Sequence, residues 1–281
     1  MKHPRLRIAD VVAVVPAIAF ACVSYAYLTL PDVRPLASTN PTTTAFMEIR
    51  AREAAADGKP QTRVQRWIAY RRISPHLTRA VLVAEDAGFW QHDGVDYGEL
   101  QKSFETDWAR GQLLRGASTI TQQLAKNLYL SPSRNPLRKF RELIIARRLE
   151  AELTKARIFE LYLNVIEWGD GIYGAEAAAH QYFNRSAAAL GPAESALLAG
   201  AIINPRTLSP AHPPARLLRR QQIILKRMGG VAPPREIVVR HEPAVIERDP
   251  DIDLLRRTPI IEPDPDDSPI APIFTPEEPK Q

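Results

Sequence analysis

Residues 11–30 constrain this chain more than any other stretch, because they carry no charged side chain and are apolar apart from Ser24, Tyr25, Tyr27 and Thr29. At ~1.5 Å rise per residue, about twenty helical residues cross the roughly 30 Å hydrocarbon layer of a bilayer. Lys2, Arg5 and Arg7 precede the run and Asp32 is the first charge after it. The positive-inside rule therefore leaves residues 1–10 in the cytoplasm and everything beyond Pro31 outside. A signal-peptide core has roughly seven to fifteen apolar residues, so the longer run favours a retained transmembrane helix over a cleaved leader.

Beyond this anchor, residues 31–43 are rich in proline and threonine with no apolar period, which reads as a short stalk. The 281 residues suffice for one sizeable domain with appendages, not for two large ones. Apolar residues make up 45% and charged residues 25%, so a folded core is expected. Prolines gather at the flanks and around residues 205–214. That distribution bounds a folded unit over residues 44–228, followed by a proline-rich, acidic tail over 229–281 that is expected to be disordered. Cys22 is the one cysteine and excludes an intramolecular disulfide. A net charge of +5 suits nucleic acid, anionic lipid or a phosphate-bearing substrate equally, so the placement of the charges must decide.

Within the folded unit the signals are helical, with almost no alternating strand pattern, and the expected fold class is mainly α. Ser74-Pro75 is an N-cap followed by proline at the first helical position, and Leu77, Ala80, Val81 and Ala84 follow on one face. Glu85 and Asp86 come at the far end, near Gly88. A carboxylate there feels the negative end of the helix dipole and a neighbouring acid, which raises its proton affinity and suits a base. The plainer reading makes both acids solvated and buries Phe89 and Trp90.

Downstream, Thr119 and Gln122 stand at capping-box spacing, so a helix should begin there with free N–H groups suited to an anion. Capping alone would explain Ser118, Thr119 and Thr121. It does not explain Lys126 and Arg134 following so soon. Residues 138–164 are broadly helical, with Phe140, Leu143, Ile144 and Leu149 as the apolar positions. Glu142 lies one turn after Arg138, and Arg147, Arg148, Glu150 and Glu152 read as a solvated face.

Several of these residues carry a resemblance. Glu85, Asp86, Phe89, His92, Gly94 and Asp96 spell EDxxFxxHxGxD, which is similar to the first motif of the peptidoglycan glycosyltransferases, the lysozyme-like family shared by monofunctional transglycosylases and class A penicillin-binding proteins. The second motif, GGSTITQQ, recurs with Ala117 in place of the second glycine. Arg138, Lys139 and Glu142 resemble the third, RKxxE. Residues 156–183 and the stretch ESALLAGAIINP complete an ordered match over about residues 44–228.

The resemblance implies a lysozyme-like, two-lobed helical domain with a cleft between the lobes and one side on the membrane. It implies polymerisation of lipid II into β-1,4-linked glycan with inversion and release of undecaprenyl pyrophosphate. Glu85 would be the general base, Lys126 and Arg134 would receive the pyrophosphate with Arg141 beside them, and Asp86, Ser118, Thr121, Gln122 and Gln123 would line the donor side. Glu142 would be a second essential carboxylate that acts electrostatically, positions the leaving group or holds a divalent cation, Mg²⁺ or Mn²⁺; the sequence itself requires no cofactor. Asn164 and Gly169 rank lower, and Tyr162, Gly174 and Phe183 read as packing and turn residues. The chain has no Ser-x-x-Lys nucleophile signature, so it reads as monofunctional.

The expected partners are lipid II, the growing glycan strand and the membrane, with cell-wall synthesis or division proteins open and no nucleic acid. The expected location is the bacterial inner membrane, single-pass, with the catalytic domain periplasmic. Two other readings remain: a lysozyme-like lytic enzyme, which needs no cationic pyrophosphate site, and a non-catalytic membrane-anchored adaptor of the cell-wall machinery.

Overall fold

The computed structural model describes residues 28–60, 63–101, 118–133 and 135–229, together with scattered residues between 14 and 25. All of them belong to one unit, Met1–Arg235. Among these residues eight helices carry the fold, as the sequence leads one to expect. They are α1 (Ala45–Ala56), α2 (Pro75–Glu85), α3 (Ile120–Tyr129), α4 (Pro136–Glu152), α5 (Lys155–Val165), α6 (Ala175–Phe183), α7 (Pro192–Ala201) and α8 (Ala215–Met228). A small sheet, not expected from the sequence, joins β1 (Val64–Gln65), β2 (Glu167–Gly169) and β3 (Ile172–Tyr173) in the order β1-β3-β2, with β1 parallel and β2 antiparallel to β3. Strands of two or three residues are too short to leave an alternating pattern.

The helix starts follow the caps. Ser74 Oγ accepts from His76 N at 3.2 Å with proline at the first position of α2. Thr119 Oγ1 accepts from Gln122 N at 3.2 Å at the head of α3. Residues 138–164 are divided between two helices instead of one, because Thr154 caps a new start by accepting from Arg157 N at 3.2 Å. The buried face of α4 is Glu142, Ile145, Ala146 and Leu149. Phe140, expected inside, is 49% exposed.

Around the future site, α3 packs between α4 and α5, and α2 packs on α7, which in turn packs on α8. Phe89 and Trp90, just after α2, meet edge to face at 5.1 Å, and Phe89 lies 5.4 Å from Phe159 of α5. Such ring contacts add about 0.5–1.5 kcal/mol beyond their burial and fix the turn that carries Glu85 and Asp86.

Gly174 begins α6 with φ +86°, and a Cβ there would lie 2.9 Å from Asn164 O and 3.1 Å from Arg66 O. Both neighbours are backbone and cannot swing aside. Gly174→Ala is therefore expected to lower stability by about 2–3 kcal/mol, read by thermal or urea unfolding.

The segment between the apolar run and α1 is packed and does not hang free as a stalk. Val33 and Leu36 are buried in the core, and Arg157 donates to Leu36 O at 2.7 Å and Thr39 O at 2.8 Å. The physical reason is that two apolar side chains in a short proline-bearing turn, Arg34–Ala37, find a core surface within reach. Residues described between 14 and 28 are helical, and Val14, Phe20, Tyr25 and Leu28 are exposed. Among the described residues no helix is long and apolar enough to cross a membrane. Of the expected tail, residues 229–281, all but Gly229 lie outside the described residues.

Candidate active site

Glu85 closes α2 and is brought against α3 and α8. Gln123 Nε2 of α3 donates to Glu85 Oε2 at 3.0 Å, and Arg220 Nη2 of α8 donates to Glu85 Oε1 at 3.2 Å. The carboxylate is 12% exposed. Burial pushes its pKa above the usual carboxylate value, and the Gln123 bond and the charges of Arg220 and Lys126 pull the other way. It borders a cavity of about 660 Å³ that Ser118 and Arg227 also line.

Asp86, the next residue, is used differently. Its carboxylate accepts from Ile120 N at 2.9 Å and lies 3.0 Å from His92 Nε2. The head of α3, read from sequence as an open anion site, is thus occupied by the protein's own carboxylate and by the Thr119 hydroxyl. The charge and hydrogen-bond match at a helix N-terminus is the reason. Asp86 thereby ties the turn after α2 to the start of α3, and it also lines the cavity that Glu85 borders.

A second carboxylate, Glu142 of α4, is 3% exposed and receives Arg138 Nη1 at 2.6 Å on Oε2 and Lys139 Nζ on Oε1. Lys139 Nζ also donates to Ser118 Oγ at 3.2 Å and Gln122 Oε1 at 3.4 Å. Since Gln123 Nε2 reaches Ser118 O at 3.4 Å, polar contacts run without a break from Glu85 through Gln123, Ser118 and Lys139 to Glu142. Lys126 sits between the two acids. Its ammonium makes no hydrogen bond or ion pair with any described residue. Its pKa is lowered mainly by burial and further by Arg138 and Lys139, with Glu142 and Glu85 opposing.

A family model described as Transglycosylase matches residues 52–229. The biosynthetic peptidoglycan transglycosylase of Methylobacillus flagellatus is 47% identical over 189 residues, 67% of this chain and 82% of that protein. The protein of the same name from Dechloromonas aromatica is 49% identical over the same shares, and that from Laribacter hongkongensis is 48% identical over 69% of this chain and 86% of its own.

The chain belongs to the peptidoglycan transglycosylase family.

Within this transglycosylase, the fold gathers Glu85, Ser118, Gln122, Gln123, Lys126 and Glu142 into one neighbourhood. Arg141 is not among them. It donates to Thr29 Oγ1 at 3.1 Å and Thr29 O at 3.0 Å, because one residue along α4 from Glu142 turns it about 100° away. Thr121 is fully buried and donates to Glu150 Oε1 at 2.5 Å, so its hydroxyl is spent inside the fold. Glu150, read as solvated, also pairs with Lys155 Nζ at 2.8 Å. Arg134 lies outside the described residues.

Sequence reasoning missed Lys139, Arg220 and Arg227 as site residues. Lys139 stood within the recognised third motif, where its three-residue offset from Glu142 was a usable signal. For the two arginines the signal was fainter: the run RLLRRQQIILKR on one amphipathic helix, with nothing local to say which cation faces inward.

Proposed function

We propose that this transglycosylase polymerises lipid II into β-1,4-linked glycan strands, with Glu85 as general base. The reading is carried by one observation above the rest: Glu85 is nearly buried at the border of a cavity, held by an amide and a guanidinium, with the ammonium of Lys126, which is unpaired among the described residues, acting on it. A general base works best when its pKa lies near the operating pH, and burial against two donors moves a carboxylate in that direction without fixing it protonated. In the reaction Glu85 removes the proton from the acceptor hydroxyl, whose oxygen attacks the anomeric carbon of the donor with inversion. The bond to undecaprenyl pyrophosphate breaks, and that group leaves with the electron pair. Lys126 and, by resemblance, Arg134 receive its growing charge.

Glu142 acts through its cations, holding Arg138 and Lys139 in place. Both of its oxygens already accept from cations, which supports this role over that of a metal ligand. Among the described residues Asp86, His92 and Asp96 bring ligand atoms within 4.8 Å of one another, yet Asp86 is engaged by His92 and the Ile120 amide.

The membrane assignment is supported by the exposed apolar side chains on the helical residues between 14 and 28, which suit lipid better than water. We read this segment as a single-pass anchor in the bacterial inner membrane, with the two-lobed catalytic domain on the outer side.

The decisive assay gives detergent-purified full-length protein labelled lipid II and separates the products on a gel. A ladder of strands supports synthesis, whereas fragments released from intact sacculi favour the lytic reading. Lys126→Ala separates the two further: donor turnover should fall by about 10- to 150-fold, equivalent to ~1.5–3 kcal/mol for a lost charge-assisted bond, while binding of a neutral strand is unchanged. Equal loss of both would remove the pyrophosphate assignment.

A further inference from the structure

Tyr162 lies on α5, wholly buried, and its hydroxyl donates to Gln123 Oε1 at 3.0 Å. The other end of that amide serves Glu85 Oε2 at 3.0 Å and Ser118 O at 3.4 Å. We propose that Tyr162 is a positioning residue for the base, its hydroxyl fixing the Gln123 amide so that the NH₂ group, and not the carbonyl, faces Glu85. The proposal rests on Glu85 being the base and says what keeps that base in its working form.

The two ends of a primary amide are nearly equal in shape and opposite in hydrogen bonding. In the observed orientation every partner is matched: hydroxyl to carbonyl, and NH₂ to a carboxylate and a backbone carbonyl. Flipped, the amide carbonyl would face the Glu85 carboxylate and Ser118 O, three acceptors with no proton among them, and the buried hydroxyl would lose its acceptor. The hydroxyl could still accept from the NH₂, but its own proton would be left without an acceptor, so the hydroxyl adds to the carboxylate and Ser118 O in holding one orientation. That orientation favours ionised Glu85, because an N–H donor stabilises the carboxylate and gains less from the neutral acid.

Among the described residues, Asp96, Glu99 and Arg227 stand on the walls of the cavity that Glu85 borders, and a closer set surrounds the carboxylate itself. Gln123 and Lys126 come from α3, Arg220 from α8, Tyr162 from α5, and Asp86 is its chain neighbour. Tyr162 stays a donor throughout, since burial and the nearby charges of Glu85 and Asp86 hold its pKa well above the ordinary tyrosine value. Phenylalanine in its place keeps the packed ring and removes the lock. The amide can then turn its carbonyl to Glu85, which favours the protonated acid, and the base form is reached only at higher pH.

The test compares full-length parent and Tyr162→Phe across pH, following kcat/KM for labelled lipid II. On the acid side Tyr162→Phe should be about tenfold slower, converging with the parent as pH rises, as expected for weakening one charge-assisted bond. Melting temperature is recorded for both. In a Gln123→Met background, which has no amide to orient, adding Tyr162→Phe should leave the acid limb where it is. A readout independent of turnover is the titration of ¹³C-carboxyl-labelled glutamate, with the Glu85 signal assigned by its loss in Glu85→Gln; its midpoint should move upward in Tyr162→Phe. Loss by one factor at every pH in step with melting temperature, or an unmoved Glu85 midpoint, would overturn the proposal. If the parent makes no strands and the midpoint still moves, the polymerase reading fails and the positioning role stands.

Discussion

Glu85→Gln is expected to cut strand synthesis by about 10²- to 10⁴-fold while the melting temperature holds or rises. Glutamine keeps the shape and an acceptor for Arg220 or Gln123, but it cannot take a proton. The stability half follows from the direction of the pKa shift. Glu85 in the folded chain has a pKa above its ordinary 4.5, so between that value and the raised one the folded state holds more proton than the unfolded state. Stability in that window falls as pH rises, and the neutral amide is spared this loss. Steady-state turnover and calorimetric melts of parent and variant over a pH series read both halves. Near-parental turnover at any pH would remove Glu85 from the role of base.

For Glu142→Gln the expected result is opposite in kind: activity and stability fall together. Glu142 is nearly buried and pairs with Arg138 and Lys139 at once. Removing one side of a buried ion pair leaves charge uncompensated, at about 3–5 kcal/mol when both partners are enclosed. Here Lys139 is half exposed and can find water, so about 2–4 kcal/mol is expected from urea unfolding. Released from Glu142, Lys139 also loses its hold on Ser118 and Gln122. The rate loss should therefore exceed what the unfolded fraction explains at the assay temperature. A rate loss equal to that fraction would make Glu142 a purely structural residue.

The two predictions differ because the carboxylates stand in different surroundings, and that difference was invisible in the sequence. Both acids were found from motif spacing. Only the fold revealed that one meets an amide and a single arginine at a cavity border, whereas the other is closed in by two cations. Asp86 makes the same point: adjacent to Glu85 in the chain, its carboxylate turns to the head of α3, where it accepts from Ile120 N.

What the sequence determined by itself was local. Ser74-Pro75 and Thr119 set the starts of α2 and α3, since a cap forms between residues two or three apart and needs nothing distant. The ordered motifs located Glu85, Gln123, Lys126 and Glu142 and the family to which they belong. Tertiary structure decided the partners. Arg220 reaches Glu85 across 135 positions and Tyr162 reaches Gln123 across 39, so neither leaves a periodic or capping signal. Arg141 and Glu142 are neighbours in sequence that face different ways on one helix. Glu150 is drawn inward by Thr121 and Lys155 from two other elements. Caps and helical periods are fixed by bonds within a turn, whereas the environment that sets a carboxylate's proton affinity is assembled from side chains that only the packed helices bring together.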